Sequence, residues 1–150
     1  MKIIKAFLPI LAISAFAFSG QVMADTQSDV TTTLEQHFSG IKQGKLELLN
    51  QSWDTKVASI TEIKNDKTSK VDLEQAFALW TKQANPEFSA KVESITEISG
   101  SIAVAKVSII WKGAQYSDAL TLSKGTEGWK IISKVYQAPK KAKGSYVTEE

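Results

Sequence analysis

The sequence predicts an α+β domain: helices first, then a curved antiparallel sheet that closes over them. Three observations point there. Apolar residues recur at helical spacing in the first half of the chain. Three runs near its end, Ile102–Trp111, Tyr116–Lys124 and Trp129–Tyr136, alternate apolar and polar residues. Two short turns, 112–115 and 125–128, join those runs into a meander.

Pairing Trp111 with Tyr116 and Lys124 with Trp129 puts one apolar set on a single face. Ala105, Val107, Ile109 and Trp111 come from the first run, and Tyr116, Asp118, Leu120 and Leu122 from the second. Trp129, Ile131, Ser133 and Val135 complete the set in the third. Lysines and hydroxyl residues fall on the opposite face, among them Lys106, Thr121, Lys130 and Lys134. Agreement across three runs is a strong register signal, because a one-residue slip would exchange the faces.

The first element is read as an address. Lys2 and Lys5 precede an apolar run from Ala6 to Phe18, and Val22-Met23-Ala24 suits a cut ahead of Asp25. Residues 1–24 therefore read as a secretory signal peptide, and the run is short for a membrane span of roughly 20 residues. The expected location is the periplasm, with no stable membrane insertion after cleavage. Removal leaves 126 residues, enough for one domain over 25–137, with 138–150 as a polar flexible tail.

Asp25–Gln43 reads as a helix, with Val30, Leu34, Phe38 and Ile41 on its stripe and Ser28 or Asp29 as its cap. Gly44 stops it. A short helix, Lys45–Ser52, carries Leu46 and Leu49 and leads to Trp53. Val57–Ile63 reads as a strand and Asn65-Asp66-Lys67 as a turn. Asp72 opens a third helix with Gln75 three residues on, a capping box, and Asn85-Pro86 ends it. Val92–Ile98 is the next strand. Ser94 and Thr96 are placed on its inner face, because Glu93 and Glu97 would need buried partners.

Composition narrows the function. The 18 basic residues are all lysine, and the mature chain balances 16 lysines against 16 acids. Nucleic acid is not expected without a basic excess or guanidinium forks. One histidine and no cysteine make a metal site improbable, no phosphate loop is present, and no cofactor is expected.

The element order, with Gly40-Ile41-Lys42-Gln43-Gly44, Tyr116-Ser117-Asp118-Ala119-Leu120-Thr121-Leu122-Ser123-Lys124 and Gly128-Trp129-Lys130-Ile131-Ile132-Ser133-Lys134-Val135, resembles the nuclear-transport-factor-2-like (SnoaL-like) superfamily. The likeness is to its bacterial lumazine-binding-like branch and spans residues 28 to 137. It implies an NTF2-like cone, a strongly curved antiparallel sheet wrapped around N-terminal helices with a pocket at the wide end. Many members pair through the outer sheet face, where this chain carries Val104, Ile110, Ile132 and Tyr136. The branch tends to place a histidine after the second helix; Ser52-Trp53-Asp54-Thr55 has none, so no mechanism through that histidine carries over.

The candidate pocket residues are Trp53, Trp80, Ile109, Trp111, Tyr116 and Asp118, an aromatic lining suited to a flat or ring-bearing ligand. Asp118, flanked by Ile109 and Val135, is the candidate catalytic residue. Burial would raise its pKa toward that of a general base; the bland reading, which a lone acid without a paired base favours, is a structural carboxylate held by Tyr116, a backbone donor or a lysine. His37 reads as a packed helix residue. The expected function is an exported, non-catalytic protein that binds a small, partly apolar molecule. The alternatives are an isomerase- or dehydratase-type enzyme with Asp118 as base, and a homodimeric interaction domain.

Overall fold

The computed structural model describes residues 19–139. Most of the expected signal peptide, residues 1–18, and the tail from 140 on lie outside the described residues. Helix α1, Ser19–Gln43, begins earlier than the expected Asp25. Ser28 and Asp29 are consequently inside the helix and do not cap it. Their carbonyls, with that of Gln27, instead accept bonds from the hydroxyls of Thr32, Thr33 and Thr31.

Gly44 ends α1 with φ at +66°, a left-handed conformation that glycine adopts without a Cβ penalty. Its N–H donates to Ile41 O, and the N–H of Lys45 donates to Gly40 O, which makes a Schellman turn. Helix α2, Leu46–Ser52, folds back against α1. After a turn at Asp54, strands β1, Ser59–Lys64, and β2, Lys67–Val71, form a hairpin through Asn65 and Asp66, both at positive φ. Helix α3, Leu73–Thr81, starts at Asp72, whose carboxylate accepts from Gln75 N at 2.8 Å. Strands β3, Ser89–Ser99, β4, Ile102–Trp111, β5, Ala114–Gly125, and β6, Gly128–Gln137, follow as the meander.

The strands make one curved, unclosed sheet in the order β2-β1-β6-β5-β4-β3. Every pairing is antiparallel except that of β1 with β6. The core fills the space between its inner face and the helices. Val30 and Leu34 of α1, Leu49 of α2 and Phe77 of α3 meet Ala105, Val107, Leu120, Leu122 and Ile131 of the sheet.

Three register expectations change. The hairpin between β4 and β5 closes two residues earlier, with Trp111 opposite Ala114 and Ile109 opposite Tyr116. The shift is even, so the faces of β5 are kept and Asp118 stays inside, now opposite Val107. The second change is in β3. A bulge at Glu93 turns Ile95 and Glu97 inward, opposite the buried Ala105 and Ala103, in place of Ser94 and Thr96.

The third change is in β6. Leu122 faces Ile131, but Thr121 faces Ser133, so Ile132 is an extra residue. Beyond it the faces exchange. Lys134 and Tyr136 point inward, opposite Leu120 and Asp118, while Ser133 and Val135 point outward. Asp118 is therefore flanked not by Ile109 and Val135 but by Val107 and Tyr136, and Tyr136 leaves the outer face on which it was expected.

Candidate functional site

The inner face and the helices enclose a cavity of about 390 Å³. The sheet supplies Ile109 and Trp111 from β4, Tyr116 and Asp118 from β5, Lys134 and Tyr136 from β6, and Glu62 and Lys64 from β1. Val71 of β2 adds an apolar side chain, and the opposite wall is apolar too: Ile41, Ala76, Leu79, Trp80 and Phe88. Ala138 and Pro139 close one side, where the N–H of Ala138 donates to Ile63 O and keeps the chain beside β1.

At the floor, Lys134 Nζ donates to Asp118 Oδ2. The two residues sit diagonally across β5 and β6, a spacing that long side chains can span. They are only 5% and 3% exposed, so neither charge is shared with bulk water. Burial raises the Asp118 pKa above its ordinary value, and the Lys134 cation partly opposes that rise. The ammonium also lies 5.5 Å from the ring centres of Trp80 and of Tyr136, within cation–π range. Asp118 Oδ1 is buried and has no hydrogen-bond partner among the described residues.

Above this pair, three rings cross adjacent strands. Trp111 and Tyr116 are 6.5 Å apart between centroids, and Tyr116 and Tyr136 are 6.1 Å apart. The Tyr136 hydroxyl donates to Glu62 Oε1 at 3.3 Å. Burial and the Glu62 carboxylate push the Tyr136 pKa up to about 12, and burial raises that of Tyr116 as well. Asn85 ties the rim together. Its amide donates to the carbonyls of Ile41 and Trp80, while its Oδ1 accepts from Trp111 Nε1 at 3.4 Å.

The structure gathers Trp80, Ile109, Trp111, Tyr116 and Asp118 around the cavity and leaves Trp53 out of its lining. Trp53 is one layer deeper, packed against His37, Phe77 and Trp80. His37 is fully buried there. Lys134, Tyr136, Glu62 and Lys64 were missed. The bulge hid the first two, although a lysine two residues before a tyrosine, both on the strand next to Asp118, was a usable signal. Glu62 and Lys64 enter through the parallel pairing of β1 with β6, which local patterning does not reveal. Among the described residues no cluster of three metal-binding side chains occurs, and no helix is long and apolar enough to cross a membrane.

Residues 25–137 match the family model described as "Putative lumazine-binding". The chain belongs to that family. No match was found among curated proteins. Solved structures place this lumazine-binding family member within the nuclear-transport-factor-2-like fold. An NTF2-like protein of unknown function from Silicibacter pomeroyi is 21% identical, covers 78% of this chain and 98% of its own, and superposes with a TM-score of 0.69. One from Shewanella baltica is 20% identical, with 78% and 96% covered and a TM-score of 0.69. A third, from Methylobacillus flagellatus, is 20% identical, with 77% and 94% covered and a TM-score of 0.68. At these identities the likeness establishes the fold of the family member and says nothing of its ligand.

Proposed function

We propose that the protein is an exported, non-catalytic binder of a small, partly apolar molecule, which it holds in the cavity between the inner sheet face and α3. The observation that carries this reading is the cavity itself. Its volume falls within the range of about 300–1,000 Å³ usual for small-molecule sites, and its lining is largely apolar with a few convergent polar groups. The family description points to small-ligand binding as well. The basic, then apolar, N-terminus supports passage to the periplasm.

The Asp118–Lys134 pair favours binding over an isomerase or dehydratase. A general base has to take up the substrate's proton, and the Lys134 cation bonded to Asp118 favours the ionised carboxylate over its protonated form. Pairing of two copies through the outer face has support of its own: Ile102 and Ile110 point outward from β4 and are exposed.

Calorimetric titration with lumazine, a neutral two-ring compound, tests the binding reading. Uptake that Trp111→Ala weakens, at unchanged melting temperature, supports it. No uptake of lumazine or of any other ring compound in a panel refutes it. Light scattering tests pairing; an Ile110→Lys variant with the mass of the wild type counts against that interface.

A further inference from the structure

We propose that the cavity selects a neutral, planar heterocycle presenting a lactam edge, whose ring N–H donates to Asp118 Oδ1 and whose carbonyl accepts from Lys134 Nζ. This rests on the binding reading above and names the chemistry of the ligand.

Charge decides neutrality. Glu62 and Asp118 oppose Lys64 and Lys134 in the lining, which leaves no net charge. At the floor an anion would meet the Asp118 carboxylate, and a cation would meet the Lys134 ammonium. Shape decides planarity. Trp111, Tyr116 and Tyr136 form a band of rings across three neighbouring strands, and Trp80 faces from α3. A flat ligand can cover such a band with offset stacking.

The edge follows from what the ion pair leaves unused. Asp118 Oδ2 accepts from Lys134, but Oδ1 is buried and accepts from none of the described residues. An ammonium has three donors, and Lys134 uses one, on Asp118. Both residues line the cavity and are already in contact, and between them they hold one spare acceptor and spare donors. A lactam carries its own donor and acceptor on neighbouring atoms in the complementary order. Asp118 is then not left unpaired, which otherwise costs a buried acceptor the whole of its desolvation. A ligand with the same rings but an oxygen in place of the N–H turns a lone pair toward the carboxylate and gains none of this.

Three bicyclic probes test the inference by calorimetric titration of the wild-type protein. 2-Quinolinone carries the full edge. Coumarin keeps the shape and the carbonyl but has oxygen where the N–H was. Naphthalene has neither group. The expected result is that 2-quinolinone binds about tenfold tighter than coumarin or better, the range for a hydrogen bond to a charged group. Asp118→Asn, which puts an amide donor in the place of Oδ1, should remove most of that preference. If coumarin binds as tightly as 2-quinolinone, the lactam assignment is overturned while the pocket reading stands. If none of the three binds, both are overturned. The comparison within the wild type holds whether or not the variant folds.

Discussion

Trp53 donates its indole N–H to Nδ1 of His37 at 3.1 Å, at the centre of the packed layer beneath the cavity. The acceptor role of Nδ1 makes His37 neutral, with its proton on Nε2. Burial and, next, the charge of Lys134 hold the His37 pKa well below its ordinary value.

A pH dependence of stability follows. The unfolded chain takes up a proton at His37 near pH 6.5, and the folded chain does not. The stabilisation by neutral His37 is therefore present above pH ~6.5 and is lost as the pH falls below it, by up to about 1.4 kcal/mol per pH unit. Urea midpoints between pH 7.5 and 5 should fall for the wild type. His37→Asn, whose amide oxygen can still accept from Trp53, should flatten that dependence. Parallel slopes for the two proteins would mean that His37 titrates normally in the fold.

Breaking the floor ion pair from one side should cost more than removing it. Lys134→Met leaves Asp118 buried without its cation, at a cost of about 3–5 kcal/mol, whereas Asp118→Leu combined with Lys134→Met should lie closer to the wild type. Chemical denaturation of the two single variants and the double variant gives the coupling directly; additive losses would contradict it. In Lys134→Met the Asp118 pKa rises further. Its raised value favours the fold only at low pH, below about 3.9, and that contribution is lost as the pH climbs through the folded value. The deficit of this variant should accordingly shrink on acidification.

Tyr136 should ionise late. Alkaline absorbance titration of the folded protein should contain a step near pH 12 that Tyr136→Phe removes. Glu62→Gln takes away the negative neighbour and should move the step to lower pH. A titration curve unchanged in Tyr136→Phe would place the phenol in water.

Two glycines should tolerate alanine poorly. A Cβ at Gly40 would lie 2.8 Å from Leu49 Cδ2, where α1 and α2 touch. The gain in helix propensity is about 1 kcal/mol, against about 1–3 kcal/mol for overpacking. At Gly44 the nearest atom is the backbone carbon of Gln83, at 2.8 Å, and φ is positive, so Gly44→Ala should lose more. Gly100→Ala, which meets nothing within 4 Å, is the control. Thermal melts that rank the three differently would undo this account of the interhelical contact.

The meander was legible because its alternation is long and two-sided, and Leu120, Leu122, Trp129 and Ile131 could occupy only the covered face. The stop at Gly44 and the cap at Asp72 were legible because each has a local chemical cause; of the expected box only the bond from Gln75 N to Asp72 forms. The bulges at Glu93 and Ile132 were not. Ile131 and Ile132 are both apolar, so either could continue the inner row, and the choice rests on Lys134 reaching Asp118 across the strand. At Glu93 the competing preference was to keep Glu97 outside; pairing of Ile95 with Ala105 overrode it. Asn85 was read only as a helix terminator, since its bonds to Ile41 and Trp111 span 44 and 26 residues.

The extra residue at Glu93 also bears on solubility. β3 is one rim of the sheet, eleven residues long, and no other strand among the described residues pairs with its outer side. A stray polypeptide zipping along it would fall out of step within a few residues, and the charged Lys91–Glu93 couple sits where it would begin. The opposite rim, β2, is short and carries Lys67 and Lys70. Both borders thus discourage growth into fibrils, a safeguard suited to a chain that folds without any disulfide to hold it.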